Sequence, residues 1–191
     1  MKLACIFLAS GHSTRFGRDK LTFPVNGKPL CVHAFESLPP GFFEETVVVT
    51  RDPGVAQLAE EHSFRAVMNR DTTNDPAITI RLGIEALSIA ADGVMFCVCD
   101  MPFLRPESIQ AMAEEFAHDP SRIVRLSWQG RMGNPVLFPA ALLDELRSLP
   151  AGKSGRYVIE QNPEPVRAVE ALEERELHDI DTLEDLARVM I

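Results

Sequence analysis

The sequence predicts an α/β fold, a three-layer α/β/α sandwich around a mostly parallel sheet, on three observations. Short apolar runs rich in β-branched residues recur along the chain, and segments with helical periodicity separate them. The chain has 191 residues, 46% hydrophobic and 25% charged, enough to bury one core of this kind. Strand, helix, strand, helix is the order of right-handed crossovers, which place helices on both faces of a sheet. No repeat, linker or low-complexity tract interrupts the pattern, so residues 1–191 are read as a single domain.

Each element has its own signal. Leu3–Leu8 is an apolar strand that breaks at Ser10-Gly11. Pro29, favoured in a first helical turn, opens a helix through Phe35 that stops at Pro39-Pro40. Thr46–Thr50 is the next strand, followed by a helix over Gly54–Glu61 and a strand over Arg65–Met68. A helix over Ala77–Ala91 carries Ile80, Ile84, Leu87 and Ala91 on one stripe. Gly93–Cys99 is a strand, Pro106 starts another helix, and Ile123–Trp128 is a further strand. The pattern then loosens: a turn-rich Gln129–Gly133, an apolar Pro135–Phe138, a short helix over Ala140–Leu146 and a strand over Val166–Val169. Thr182-Leu-Glu-Asp185 opens a last helix, with a hydroxyl cap and an acid three residues on.

Composition removes several function classes. Lys and Arg number 19 against 28 Asp and Glu, a formal charge of -9, opposite to a surface that tracks a nucleic-acid backbone. No run approaches the ~20 apolar residues of a membrane span, and the opening run is too short for a signal-peptide core, so the expectation is a cytoplasmic protein with neither nucleic acid nor membrane as partner. Of the four cysteines, Cys97 and Cys99 fall on one face of a strand, without the gap of a zinc knuckle, and Cys5 and Cys31 lie in other apolar segments. All four are read as buried free thiols. The five histidines show no metal-ligand spacing.

Chemistry concentrates in two places. The segment Leu8-Ala-Ser-Gly-His-Ser-Thr-Arg-Phe-Gly-Arg-Asp-Lys20 leaves the first strand where open α/β sheets bind ligands. Gly11 and Gly17 allow close backbone approach, and Arg15 and Lys20 add two cations in an acidic chain. The loop is either an anion site or a solvated turn; it is neither a P-loop nor a dinucleotide fingerprint. Cys99-Asp100-Met-Pro102 ends another strand at the same sheet edge. Asp100 is either a helix-entry residue or, beside a bound triphosphate, a Mg²⁺ ligand.

In their order along the chain these motifs resemble the nucleotidyltransferases of the molybdenum-cofactor type. Leu8–Lys20 is similar to that family's opening motif, Asp100-Met-Pro102 to its metal motif, Gly133-Asn-Pro-Val136 to its acceptor-side motif, and Asp179-Ile-Asp-Thr-Leu-Glu-Asp-Leu186 to its closing motif. The resemblance implies a Rossmann-like nucleotidyltransferase fold, with residues 1–105 as the nucleotide-binding half and 106–191 as the acceptor side. It implies that Leu8, Ala9, Ser10, Gly11, Arg15, Lys20, Thr79 and Arg81 bind the nucleotide and that Arg15, Lys20 and Asp100 are catalytic. Asp100 then holds Mg²⁺, with Asp181 or Asp179 as a second carboxylate, and Asn134 and Pro135 face the acceptor. For Arg81 a phosphate contact and a helix-surface ion pair both stand; for Asn134 so does a turn before proline, and for Asp181 so does helix capping.

The implied reaction joins CTP, or alternatively GTP, to molybdopterin, releasing pyrophosphate and making a dinucleotide cofactor for a molybdenum hydroxylase. In the resemblance a third-position Ala goes with cytidine and Gly with guanosine; Ser10 keeps a side chain there, which favours CTP. Two departures open other readings. The serine-rich family segment reads Asp75-Pro-Ala-Ile-Thr-Ile-Arg81, with Thr79 its one hydroxyl, and a later family aspartate is missing from Ala151-Gly-Lys-Ser-Gly-Arg156. A sugar- or polyol-phosphate acceptor, or a cofactor-delivery protein without catalysis, remain alternatives.

Overall fold

A computed structural model describes residues 1–11, 16, 19–162, 166–182, 184, 185 and 187. Its core is a seven-stranded sheet in which β1 (Leu3–Ala9) is central. On one side lie β4 (Glu45–Thr50) and β5 (Arg65–Met68); on the other lie β6 (Gly93–Val98), β8 (Arg131–Pro139), β7 (Val124–Trp128) and β9 (Arg167–Glu170). All run parallel except β8, which is antiparallel to both neighbours. A two-residue hairpin, β2 (Pro24–Val25) and β3 (Lys28–Pro29), stands apart from the sheet.

Because both faces of the sheet are covered, its central strands are apolar throughout, and alternate residues feed two cores. From β1, Leu3, Cys5, Phe7 and Ala9 pack on α1 (Leu30–Glu36), α2 (Pro53–Glu61) and α4 (Pro106–His118). Ala4 and Ile6 face α3 (Pro76–Ala86), α5 (Leu143–Arg147) and α6 (Gly155–Gln161). The expected three-layer architecture is thus present. All four cysteines are buried and free, as their strand and helix positions imply.

Several boundaries differ from expectation. The third helix ends at Ala86, not Ala91: Leu87 turns to ψ 129°, and the Glu45 carboxylate captures the Ser88 amide at 2.8 Å and its hydroxyl at 3.1 Å, pulling the chain out of the helix. The turn after Trp128 is confined to Gln129 and Gly130, both at positive φ, so Arg131–Gly133 already belong to β8. The β2–β3 hairpin turns on Asn26-Gly27 at φ 49° and 79°, a left-handed pair that favours this dipeptide. The cap at Thr182 forms as read: its hydroxyl accepts from the Asp185 amide at 3.1 Å while the Asp185 carboxylate accepts from the Thr182 amide at 2.7 Å. Among the described residues no helix is long and apolar enough to cross a membrane.

Candidate active site

Strand order reverses at β1: the chain moves outward through β4 and β5, then returns to β6 on the other side. The crevice beyond the carboxyl ends of β1 and β6 is therefore the switch point at which such sheets bind ligands. Three charged side chains meet there. Lys20 Nζ donates to Asp100 Oδ2 and to Asp181 Oδ1, both at 2.8 Å.

Each partner is held in place by its own element. Near Lys20 in the chain, buried Phe16 packs edge-on against Phe23 at 5.3 Å. Asp100 is two residues beyond the end of β6, and its carbonyl accepts from the Ile180 amide at 2.9 Å, which brings Asp181 to the same point. The segment before Ile180 is tied down by fully buried Glu176. Its carboxylate accepts from the Leu172 amide at 2.7 Å and, across to the Asp100 loop, from the Arg105 amide at 3.1 Å. Burial on its own would lower the Lys20 ammonium, but the charge of Asp100 and the hydrogen bonds to both carboxylates outweigh it and raise its pKa. Lys20 is thus a fixed cation throughout the physiological range.

The cluster suits a divalent cation. Asp100 Oδ1 is buried without a hydrogen-bond partner, and two carboxylates converge on one point, a hard-oxygen donor set. Among the described residues no group of three or more metal-ligating side chains exists.

At the carboxyl ends of β1 and β6 lies a cleft of about 340 Å³ lined by Leu8, Ser10, Gly11, Asn74, Pro76, Thr79 and Val98. Ser10 is buried, and its hydroxyl donates to the Val49 carbonyl at 3.2 Å, so its side chain is locked into the wall. The Thr79 hydroxyl accepts from Asn69 Nδ2 at 3.2 Å. Ala9 is the buried last residue of β1. Arg81 is exposed on α3 and lines neither this cleft nor its neighbour. Asp179 is exposed, whereas Asp181 joins the cluster. Arg15 and Gly17 lie outside the described residues.

A second cavity, about 280 Å³, shares Leu8, Pro76 and Val98 with the first and contains exposed Asn134 together with Arg125 and Arg156. Pro135 is buried in β8. The turn lacking the family aspartate finds one in space: Asp75 Oδ1 accepts from the Gly152 amide at 3.0 Å. Sequence reasoning passed over Asn69, Asn74 and Arg125. Asn69 was within reach of the sheet-edge rule, since it directly follows β5; Arg125 lies mid-strand, where a charge carries no such signal.

An open α/β sheet with a lysine and two carboxylates at its switch point is the framework of a phosphate-handling α/β protein. The chain belongs to the MobA-like NTP transferase domain family, which matches residues 5–166, and is a nucleotidyltransferase on that ground. It is 31% identical to the "Probable molybdenum cofactor guanylyltransferase" of Pyrococcus furiosus, over 95% of this chain and 93% of that protein. To the protein of the same name from Pyrococcus horikoshii it is 33% identical over 61% of this chain, spanning 57% of the relative's length. A nucleotidyl transferase from Methanothermobacter shares the fold at TM-score 0.83 and 21% identity, covering 98% of this chain and 95% of the other. So does Rv0371C of Mycobacterium tuberculosis H37Rv in complex with manganese, at TM-score 0.78 and 19% identity, covering 99% and 97%.

Proposed function

We propose that the protein transfers the cytidylyl group of CTP to the terminal phosphate of molybdopterin, in a Mg²⁺-dependent reaction that yields the cytosine dinucleotide cofactor and pyrophosphate. The observation that carries this reading is the Lys20–Asp100–Asp181 cluster at the switch point, with Asp100 Oδ1 buried and unpartnered. Residues 1–105 form the nucleotide side; 106–191 form the acceptor side and return Asp181 to the cluster. The product would serve a molybdenum hydroxylase.

The chemistry asks for positioning and charge neutralisation rather than a covalent nucleophile. An acceptor phosphate oxygen forms a bond to the α-phosphorus as the bond to the bridging β-phosphate oxygen breaks, and that electron pair leaves with pyrophosphate. Lys20 supplies a permanent positive charge beside the α-phosphate, and the amides around Ser10 and Gly11, with Arg15, hold the remaining oxygens. A Mg²⁺ ion held by Asp100 and Asp181 would offset phosphate charge. Glu176 and the Ile180 amide keep both carboxylates at fixed positions, so little reorganisation is needed on binding.

Ser10 lines the cleft and keeps a side chain where the resemblance associates glycine with guanosine, which favours cytidine. The guanylyltransferase names of the two Pyrococcus relatives favour GTP as a second reading. Incubating the protein with Mg²⁺, molybdopterin and each nucleoside triphosphate in turn, with pyrophosphate as readout, decides the matter. Release is expected with CTP and only when molybdopterin is present. Release with GTP instead moves the base assignment, and no release with any of them overturns the transferase reading with this acceptor.

A further inference from the structure

A third cavity, about 420 Å³, lies at the amino ends of β4 and β5, away from the carboxyl edge that carries the charged cluster. It shares no lining residue with either cavity at that edge, and its volume falls within the roughly 300 to 1,000 Å³ of ligand pockets. Aromatic rings form much of its wall. Phe35 at the end of α1, His62 at the cap of α2 and Phe64 ahead of β5 pack as one corner: Phe35 meets His62 at 5.5 Å and Phe64 at 5.6 Å, the two phenyl planes 86° apart. Phe43 lines another side and is held edge-on by Phe42 at 5.3 Å. The loop between α1 and β4 is fixed in place. Pro39 and Pro40 restrict its backbone, the Phe42 amide donates to the Pro39 carbonyl at 3.2 Å, and the Glu44 amide donates to the Leu3 carbonyl at 2.9 Å.

The polar side chains of the cavity are acceptors. Glu36 contributes a carboxylate and Thr46 a hydroxyl. The Leu58 carbonyl takes the Nδ1 proton of His62 at 2.7 Å, which leaves Nε2 of the neutral ring as an acceptor. Among the described lining residues there is no lysine or arginine, in a chain whose formal charge is -9. The present partner of Glu36 is Lys28, in a pair whose side chains are 47% and 40% exposed; such pairs contribute little, so a cation in the cavity can take the carboxylate over.

Acceptors beside aromatic rings suit one ligand chemistry, since ring faces attract a cation and a carboxylate binds it through a charge-assisted hydrogen bond. We propose that this cavity is a second ligand site, for a small organic ammonium ion with a flat apolar body. Glu36 holds the ammonium, and the corner of Phe35, His62 and Phe64 holds the body. The site does not depend on the nucleotidyl-transfer reading, and its occupant leaves the nucleotide cleft open.

The test titrates tryptamine, an indole bearing a primary ammonium, into the whole isotope-labelled protein and follows the amides by NMR. Tryptophol, with a hydroxyl in place of the ammonium, and indoleacetate, with a carboxylate, are the neutral and anionic controls. Tryptamine is expected to shift the amides of Gly41, Phe43, Thr46, His62 and Phe64, and to bind about tenfold or more tightly than either control. Glu36→Gln should weaken tryptamine about tenfold and leave tryptophol unchanged. Lys28→Met removes the competing ammonium and should tighten tryptamine about two- to threefold, a change of opposite sign that general damage to the fold would not produce. Saturating CTP should leave tryptamine affinity as it was. Tryptophol binding as tightly as tryptamine, unchanged affinity in Glu36→Gln, shifts centred on other residues, competition with CTP, or no binding at millimolar tryptamine each overturns the proposal.

Discussion

Replacing Lys20 with methionine removes the cation from between Asp100 and Asp181 while keeping most of the length of the apolar stem. The two facing oxygens, each 2.8 Å from Nζ, are left no farther apart than twice that distance. At an effective dielectric near 20 this is a repulsion of about 3 kcal/mol, which water at side chains 22% and 29% exposed reduces to about 2 kcal/mol. For a domain of this size the melting temperature should fall by roughly 4–8 °C. The loss depends on pH in a definite sense. In the variant a protonated carboxyl no longer repels its neighbour, so the deficit shrinks on acidification. In the wild type the raised Lys20 pKa works the other way: its stabilisation is complete below about 10.5 and is lost as the pH climbs through the higher folded value. Millimolar Mg²⁺ should stabilise the variant more than the wild type, because the ion can take the place of Nζ between the carboxylates. Differential scanning fluorimetry at pH 5 and 7.5, with and without Mg²⁺, measures all of this. A variant that melts with the wild type at pH 7.5, or whose deficit is unchanged at pH 5, refutes the reasoning.

Other consequences can be checked one at a time. Asp100→Asn should lower pyrophosphate release by about a hundredfold or more while CTP still binds, since charge neutralisation carries the transfer; full turnover would exclude Asp100 from the chemistry. Gly83→Ala would put a Cβ 2.5 Å from Ile6 Cγ2 between α3 and β1, so urea denaturation should show a loss of about 1–3 kcal/mol, and an unchanged midpoint would mean this contact yields freely. The four thiols should be silent to a thiol reagent in the native protein and react together on unfolding, since burial pushes Cys31 up to about 12 and Cys5 and Cys99 well above their usual values. The Ser121 hydroxyl, then Arg122, hold Asp119 down to about 2, so its stabilisation is complete above its ordinary value and disappears as the pH falls through about 2; Ser121→Ala should shift the NMR titration midpoint upward.

The sheet was legible because buried parallel strands are apolar on both faces: the runs around Leu3–Leu8 and Gly93–Cys99 admit no other placement. Segments governed by one distant contact were not. Nothing local in Leu87–Ala91 ends a helix; the Glu45 carboxylate does. The Asn26-Gly27 hairpin carried a readable signal and was passed over, and α6 begins in a Gly-Lys-Ser-Gly stretch that reads as loop. At the site, Lys20 and Asp100 could be picked out because each closes a strand-to-loop transition at one sheet edge. Asp181 could be named only as one of two candidates. What separates it from Asp179 is a single backbone bond from Ile180 to the Asp100 carbonyl, which is invisible to spacing.

Lys20 and Asp181 are 161 positions apart, yet their side chains touch. Contacts of such sequence separation are slow to form, because loop closure must come before any reward from the contact itself. The charged cluster therefore exists only when the segment ending at Ile180 is docked on the Asp100 loop and both ends of the chain are in place. A chain in which Ile180 is not bonded to the Asp100 carbonyl lacks the assembled cluster.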